Sequence, residues 1–319
     1  MPRNPVQFQK GLSMAEFMQR YGSEEQCHAA LVAMRWPDGF VCPACGSKEH
    51  GLSGPRRLFQ CKNCRKQTSA KAGTIFHQSK TPLTKWFLAI HLLTSAKNDV
   101  AALELARQLG VKWDTAWLIK QKLMEVMRQR NETYRLEGVV QIDDAYLGGK
   151  KAGKRGRGAG NKVPFVVAVA TRDGKPTYIH LRPVAGFTKA ALKTYGETSL
   201  APDTRVVSDS YDCFKGLKEA GLTHLAVTTD GAHPDDGLTG ALFKWLNIAL
   251  GNIKSAITGT CRSCDAHHTA RYLAAFEWRF NRRFDLAGNV KRLARASVRA
   301  GPQPRQSIAA VRTTAEMCG

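Results

Sequence analysis

A chain of 319 residues is long enough to form two or three domains, each with a hydrophobic core. Lysine and arginine outnumber aspartate and glutamate by 48 to 26, and the formal charge of +22 indicates a polyanionic partner, foremost nucleic acid. A membrane surface is a weaker alternative, because the longest apolar run, Trp86 to Leu93, is interrupted by His91 and is too short to span a bilayer. The N-terminus lacks the apolar segment of a signal peptide, so we expect a cytoplasmic protein whose nine cysteines bind metal or stay free.

Helical periodicity dominates the first part of the chain. Apolar residues recur with helical spacing from position 12 to 34, and Gly22-Ser23 interrupts the pattern, which predicts two helices with Ser23 as the N-cap of the second. The sequence at 36–39 is typical of a turn. Thr81-Pro82 predicts the start of a further helix, with the threonine as cap and the proline at the first helical position.

Four of the cysteines occur as two Cys-x-x-Cys pairs, Cys42 with Cys45 and Cys61 with Cys64. Fifteen residues separate the two pairs, a spacing at which four thiolates can form a tetrahedral zinc site. A site closed by four sulfurs keeps no coordination position for chemistry, so we interpret the zinc as structural. Its expected role is to hold a small ribbon whose basic face contacts DNA.

A helix-turn-helix is predicted in the next part of the chain. It consists of a helix over 100–109, a glycine turn at Gly110 and a second helix over 113–130. Lys120 and Gln121 of the second helix are then expected to contact DNA. Two core helices with a solvated basic face are the alternative that the pattern leaves open.

Two adjacent carboxylates, Asp143 and Asp144, follow a run of β-branched residues that predicts a short strand ended by Gly148-Gly149. Successive side chains of a strand point to opposite faces, so we expect these two carboxylates not to share one site. A carboxylate at the end of a buried strand is costly unless it binds a cation or is otherwise paired. An edge hairpin with a solvated acidic turn is the alternative for these residues alone.

A loop rich in glycine, lysine and arginine follows at 150–162 and is suited to polyanions. The side chains in it that we expect to bind DNA are Lys151, Lys154, Arg155, Arg157 and Lys162.

The order of the remaining elements predicts the architecture of the second half. Strands are expected at 163–170 and 177–181, and, after a helix, a further strand runs from Arg205 to Asp209. Three consecutive antiparallel strands followed by alternating helices and strands are the order of a ribonuclease-H-like domain. The first and fourth strands end side by side in that arrangement, so Asp143 and Asp209 are expected to share a site.

Two polar residues of the next helix, Asn247 and Lys254, are separated by two helical turns and therefore project from one face. A later amphipathic helix ends in Arg279, Arg282 and Arg283, which we expect to contact nucleic acid.

The sequence thus predicts a multidomain protein of mixed α+β and α/β class. Four segments are expected: N-terminal helices with a zinc ribbon (1–80), a helix-turn-helix region (81–136), a ribonuclease-H-like mixed sheet with flanking helices (137–290), and a basic, partly irregular tail (291–319).

The chain resembles the bacterial insertion-sequence transposases that join an N-terminal zinc ribbon to a DDE-type catalytic domain. Several motifs in the same order carry this resemblance over nearly the whole chain: Arg35-Trp36-Pro37-Asp38-Gly39-Phe40, Gly73-Thr74-Ile75-Phe76, Thr81-Pro82-Leu83-Thr84-Lys85-Trp86-Phe87, the Asp143 strand, and Arg279-Phe280-Asn281-Arg282-Arg283.

The resemblance implies metal-dependent cleavage and strand transfer at the terminal inverted repeats of an insertion sequence. Asp143, Asp209 and Asn247 are the implied ligands of magnesium or manganese, and Lys254 the implied contact to a DNA phosphate. Double-stranded DNA at the repeats and at the target is the implied partner, with assembly into a homo-oligomer on DNA and a location near the bacterial nucleoid.

The sequence departs from the family pattern at several positions. Asparagine at 247 replaces the third acid, Asp144 stands where glutamate is common, and Gln141 stands where an acid is frequent. The segment 229–237 fits the family poorly, so the missing carboxylate could come instead from one of four other acids: Asp230, Asp235, Asp236 or Glu277. A catalytically inactive DNA-binding regulator and a ribonuclease-H-like nuclease without strand transfer are the two alternative functions.

Overall fold

The computed structural model describes residues 9–54, 58–148, 162–228, 237–261 and 265–310. These residues form two compact units. One unit contains the chain up to Ala96, Ala102–Val126 and Phe284–Ala309, and the other contains Lys97–Ala101 and Met127–Arg283. Among the described residues, no helix is both long enough and apolar enough to cross a bilayer.

The described residues of the first part of the chain form helices and a small sheet: α1 (Met14–Tyr21), α2 (Glu24–Arg35), β1 (His50–Ser53), β2 (Leu58–Cys61), β3 (Gln67–Thr68), α3 (Leu83–Ser95), α4 (Ala102–Leu109) and α5 (Trp113–Asn131). Those of the remainder form a larger sheet and further helices: β4 (Val139–Leu147), β5 (Val163–Arg172), β6 (Lys175–Pro183), α6 (Lys189–Ser199), β7 (Arg205–Asp209), α7 (Gly216–Glu219), β8 (Thr223–Val227), α8 (Gly237–Cys261), α9 (Thr269–Asn281), α10 (Asn289–Arg299) and α11 (Arg305–Ala309).

Side-chain caps define the N-terminal helices. Ser13 caps α1 and Ser23 caps α2, each within a capping box, which confirms the predicted break between the two helices. The start of α3 differs from the prediction. Its cap position is Pro82, which makes no side-chain bond, and the carboxylate of Glu24 accepts hydrogen bonds from the backbone N–H groups of Leu83 and Thr84 instead. A residue far away in sequence therefore caps α3.

The larger sheet has five strands in the order β6-β5-β4-β7-β8. Strands β4, β5 and β6 pair antiparallel, whereas β7 pairs parallel with β4 and with β8. Asp173 and Gly174 both have positive φ angles, 51° and 67°, as a two-residue hairpin of type I′ between β5 and β6 requires. The predicted strand order is therefore confirmed, and the first and fourth of these strands are neighbours.

Each face of this sheet has its own hydrophobic core. Val140 and Ile142 of β4 belong to the core beneath α6 and α7, which also includes Phe214. Ala145 of β4 and Phe165 of β5 belong to the opposite core, beneath α8 and α9. Because β4 alternates between two buried faces, its direction and register are fixed on both sides.

The edge strand β6 is covered by side chains of α9. Asn281 donates to the carbonyl of Ile179 and accepts from its N–H, at 2.9 and 2.8 Å, as a neighbouring strand would. Glu277 accepts from the N–H of Leu181 at 3.0 Å. Arg283 donates to two further carbonyls at the start of β6. These bonds satisfy a strand edge that would otherwise be open to pairing with another chain.

Replacing Asn281 by alanine should destabilise the protein by about 2–4 kcal/mol, because it leaves one backbone donor and one backbone acceptor without partners. Denaturant unfolding of the full chain measures this loss. Asn252→Ala, at an exposed position of α8, is the matched control and should change stability by only a few tenths of a kcal/mol. Equal stabilities of the two variants would contradict the edge-covering role.

The C-terminal segment is more regular than expected. Residues 291–309, predicted as part of an irregular tail, lie largely in α10 and α11. Val290, Leu293 and Ala294 of α10 and Ile308 of α11 are buried in the unit that contains the N-terminal helices. The part of the predicted tail at 311–319 lies outside the described residues.

Candidate functional sites: a cysteine cluster and a carboxylate cluster

The four predicted zinc ligands come together. The Sγ atoms of Cys42 and Cys64 lie 3.5 Å apart, those of Cys45 and Cys61 lie 3.6 Å apart, and all four lie within 4.8 Å of one another. Tetrahedral zinc with Zn–S bonds of about 2.3 Å requires sulfur atoms about 3.8 Å apart. The cluster therefore has the dimensions and the donor set of a structural zinc site.

The two cysteine pairs have the same backbone geometry. In the first, the N–H of Gly46 donates to the carbonyl of Cys42, and in the second the N–H of Arg65 donates to the carbonyl of Cys61. Gly46 and Arg65 both adopt positive φ angles, 74° and 60°. The repetition shows why a small residue follows the first pair, while Arg65 adopts a conformation that costs a non-glycine residue energy.

The thiol pKa values in the cluster are shifted in opposite directions. The backbone N–H of Cys64 points at Cys61 and lowers the pKa of that thiol to about 6, and the N–H of Ala44 likewise lowers the pKa of Cys42. The N–H of Lys66 also lowers the pKa of Cys64, but the neighbouring sulfurs, Cys45 foremost, outweigh it and raise that pKa to about 12. Four thiolates in one place repel one another, and a bound cation removes that repulsion.

The second cluster consists of carboxylates where β4 and β7 separate. The parallel register joins Val139 to Arg205 and Gln141 to Val207, so its continuation places Asp143 beside Asp209. Carboxylate oxygens of Asp143, Asp144 and Asp209 all lie within 4.8 Å of one another, and the three residues are half-buried. The expectation that Asp143 and Asp144 cannot share one site is therefore wrong.

Strand geometry explains this proximity. Strand β4 continues to Leu147 and ends before Gly148, as predicted, and beyond Gln141 it is paired with β5 alone. Without β7 on that side, the carboxylate of Asp143 turns back and accepts a hydrogen bond from the N–H of Asp144 at 2.8 Å. Asp209, the last residue of β7, is oriented in the same way by the N–H of Tyr211 at 3.1 Å. The Cα–Cβ bonds of Asp143 and Asp144 therefore still alternate, but their carboxylate oxygens approach each other where pairing with β7 has stopped.

Asn247 and Lys254 lie on α8. Leu246 and Ile253 of this helix are buried in the core that contains Ala145 of β4, so α8 covers the sheet face to which Asp143 belongs by alternation. Asn247 and Lys254 themselves are exposed. The helix thus presents both polar residues outside the core, as their spacing predicted.

One alternative for the third acid is excluded by position. Glu277 is fully buried, forms an ion pair with Arg182 and binds the backbone of β6, which is separated from β4 by β5. Two strand spacings amount to about 10 Å, too far for a shared ligand position. The other three acids, Asp230, Asp235 and Asp236, lie outside the described residues.

Several predicted DNA contacts are buried. Lys120 and Gln121 of α5 are only 1% and 0% exposed, so they cannot reach DNA on this surface and the prediction for them is corrected. Buried residues occur on all sides of α5 between Ala116 and Met127, so this part of the helix has no exposed basic face. Lys162 is exposed, and the loop residues Lys151, Lys154, Arg155 and Arg157 lie outside the described residues.

The three arginines at the end of α9 have structural partners. Arg279 is 9% exposed and lies 3.8 Å from the carboxylate of Asp99. Arg282 stacks on the ring of Trp278, with its guanidinium 3.4 Å from the ring centroid. Arg283 binds the carbonyls at the start of β6. All three residues therefore stabilise the fold, and their contact with DNA stays a prediction.

Comparison with known families identifies both clusters. Residues 22–67, which contain the four cysteines, match the model of a transposase zinc-ribbon domain. Residues 135–281, which contain the three aspartates and Asn247, match the model of the ISXO2-like transposase domain. The two matched segments together make up more than half of the chain.

Matches to individual proteins are partial or weak. The chain is 31% identical over 138 residues to an uncharacterized protein in the transposable element ISH50 of Halobacterium salinarum, a match that covers 42% of this chain and 45% of that protein. A solved structure of a pre-cleavage Mos1 transpososome aligns over 91% of this chain and 98% of the other at 12% identity, with a TM-score of only 0.21, and adds nothing to the assignment. Through its two matched domains, the chain belongs to the transposases that combine a zinc ribbon with an ISXO2-like transposase domain.

Proposed function

We propose that this protein is an active DNA transposase that binds the terminal inverted repeats of an insertion sequence, cleaves them and joins them to target DNA. The observation that carries the proposal is the cluster of carboxylate oxygens from Asp143, Asp144 and Asp209 inside the matched transposase domain. The strand order around it, three antiparallel strands followed by two parallel ones, supports the ribonuclease-H-like fold that we propose for this domain.

The carboxylate cluster fits magnesium or manganese. Both ions prefer oxygen ligands, and carboxylates this close repel one another unless a cation or a proton lies among them. In the proposed site, Asp143 and Asp209 would hold divalent ions and Asn247 would offer a neutral carbonyl oxygen. Bound ions of this kind activate the attacking oxygen and stabilise the leaving oxygen in phosphodiester displacement.

The chain's own residues then orient the reactants. The backbone bonds from Asp144 and Tyr211 fix the carboxylates of Asp143 and Asp209 before any ligand arrives. Lys254, exposed on α8, is proposed to hold a DNA phosphate near the site. Water as nucleophile gives strand nicking, whereas a 3′-hydroxyl gives strand transfer.

The N-terminal half is proposed to recognise the repeats. The zinc ribbon and the helices α4 and α5, joined through Gly110 with a φ of 58°, have the elements expected of DNA-binding modules. We retain the proposal of a helix-turn-helix there, but with contacts from exposed residues near the start of α5, such as Lys112 and Trp113, in place of the buried pair. Assembly into a homo-oligomer on DNA and action in the cytoplasm, near the nucleoid, complete the proposal.

Asn247 is the observation that favours an alternative function. Without a third acid, the protein could bind the repeats as an inactive regulator. Metal-dependent cleavage of a labelled repeat duplex by the purified protein separates the transposase from that regulator. Joining of the cleaved end to a target plasmid separates it from a nuclease. Binding to the repeat without cleavage would refute the assignment as an active transposase. Cleavage without joining would indicate a nuclease.

Variants of Asn247 test the proposed third ligand. Asn247→Asp should retain part of the cleavage rate, because an oxygen ligand remains, whereas Asn247→Leu should lower the rate by about 100-fold or more, equivalent to about 3 kcal/mol. Ile248→Leu, at the adjacent exposed position, is the control and should be neutral. Normal cleavage by Asn247→Leu would place the third ligand elsewhere and make Asp144, Asp235 and Asp236 the residues to test.

A further inference from the structure

The exposed face of α10 is positively charged along its whole length. Its sequence, Asn289–Arg299, contains four cations and no acid. Lys291, Arg295 and Arg299 are exposed and follow one another at intervals of four residues, whereas Val290 and Leu293 are buried on the opposite side. Four residues correspond to about 6 Å of helix, so the three cations form a stripe about 12 Å long.

The partners of the four cations differ. Arg292 forms an ion pair with Asp285. In the ranges that the structure describes, no ion pair is found for Lys291, Arg295 or Arg299, although such pairs occur for Arg279 and Arg182 in the other unit. Within the described part of the chain, no acidic side chain therefore competes with an external anion for these three cations.

The stripe is unfavourable for the isolated protein. Solvated helix faces usually mix both signs of charge, because like charges four residues apart repel and opposite charges attract. Lys291 with Arg295, and Arg295 with Arg299, are two such like-charged pairs on one short helix. A polyanion lying along the helix offsets this repulsion, because each cation is then attracted to a nearby negative charge.

We propose that Lys291, Arg295 and Arg299 of α10 form a binding surface for the phosphate backbone of double-stranded DNA, an assignment that rests on the proposed function. DNA carries one negative charge per about 1.7 Å of its axis, so a stripe of this length faces several phosphates. Contacts to phosphates carry no sequence information, and the surface therefore adds affinity for every duplex alike. It would add to the contacts predicted for the arginines at the end of α9.

The test compares a triple variant, Lys291→Gln with Arg295→Gln and Arg299→Gln, with the matched control Arg292→Gln. Binding to a short labelled duplex of arbitrary sequence is measured without divalent metal over a series of salt concentrations. Each lost phosphate contact reduces the magnitude of the negative slope of log K against log salt by about 1. The magnitude should therefore fall by about 3 in the triple variant and stay unchanged in the control. The loss should be the same on a duplex that carries a terminal repeat.

Thermal unfolding shows whether the triple variant folds. Glutamine has good helix propensity and the changes remove like-charge repulsion, so the midpoint should stay the same or rise. If the triple variant nevertheless fails to fold, Arg295→Gln alone should lower the slope by about 1. An unchanged slope in folded variants, or an equal loss in the Arg292→Gln control, would overturn the proposal.

The outcome is separable from that of the proposed function. Cleavage by the unchanged protein together with an unaltered slope in the triple variant would refute the α10 surface alone. A reduced slope in a protein that never cleaves would support the surface and refute the transposase. If the unchanged protein binds neither duplex, both proposals are refuted. Binding to vesicles of anionic phospholipid is measured in parallel. If the triple variant loses binding to the vesicles but keeps its binding to DNA, the stripe is a membrane-binding surface instead.

Discussion

Replacing Asp143 or Asp209 by alanine should reduce metal-dependent strand cleavage by about 10³-fold or more, since each variant loses a ligand that supplies several kcal/mol in the transition state. Binding to a duplex that carries the terminal repeat should stay within a few-fold of the wild type, because the ligands serve the transition state more than docking. A cleavage assay with a labelled duplex and a binding assay on the same duplex measure the two effects.

Asp144 provides the informative comparison. Its oxygens lie within the cluster, yet by strand alternation its Cα–Cβ bond points to the opposite face from that of Asp143. We expect Asp144→Asn to be milder than either alanine variant, and Asp212→Asn, at an exposed acid paired with Lys189 and Lys215, to be neutral. If Asp144 proved essential and Asp143 dispensable, Asp144 and not Asp143 would be the metal ligand. If Asp209→Ala cleaved normally, the metal site would not include this residue of β7.

Replacing Cys61 by serine should unfold the zinc ribbon. Structural zinc contributes about 10 kcal/mol to the folding of small zinc modules, and Cys61 is a fully buried ligand candidate. Purified wild-type protein should contain close to one zinc per chain, and the variant almost none. Metal analysis by atomic absorption measures the zinc, and binding to the terminal-repeat duplex measures the consequence, which should be loss of sequence preference.

Cys261→Ser is the matched control for this experiment. Cys261 is half-buried on α8 and lies outside the four-sulfur cluster. The control should keep its zinc and its preference for the repeat. A wild-type protein without zinc, or a Cys61→Ser variant with its full zinc content, would disprove the assignment of the cluster.

Local sequence signals were sufficient for much of the fold. The Cys-x-x-Cys spacing predicted the sulfur cluster, because short knuckles fix the positions of their own ligands. Strand order was predictable as well, since β-branched runs, a hairpin turn at Asp173-Gly174 and a strand that ends on Asp209 are each local patterns. Together these local patterns are sufficient to predict that Asp143 lies beside Asp209.

The surroundings of individual side chains were harder to predict where they depend on tertiary packing. Lys120 and Gln121 were predicted to face DNA, yet both are buried, as are residues on all sides of that part of α5. The arginines at the end of α9 have the composition of a DNA-binding segment, and within the fold they also bind the edge of β6 and the ring of Trp278. Arginine satisfies buried carbonyls and aromatic faces as readily as phosphates, so composition alone does not distinguish these roles.

The sequence by itself thus determined the strand order of the larger sheet, which four cysteines meet and which two aspartates become neighbours, because each depends on spacing along the chain or on strand order. Only the tertiary structure decided that Glu24 caps α3, that Asp144 joins the carboxylate cluster and that α10 belongs to the N-terminal unit. These three features depend on where strand pairing stops and on contacts between distant segments. Such contacts are set by the packing of the whole unit, which no local pattern encodes.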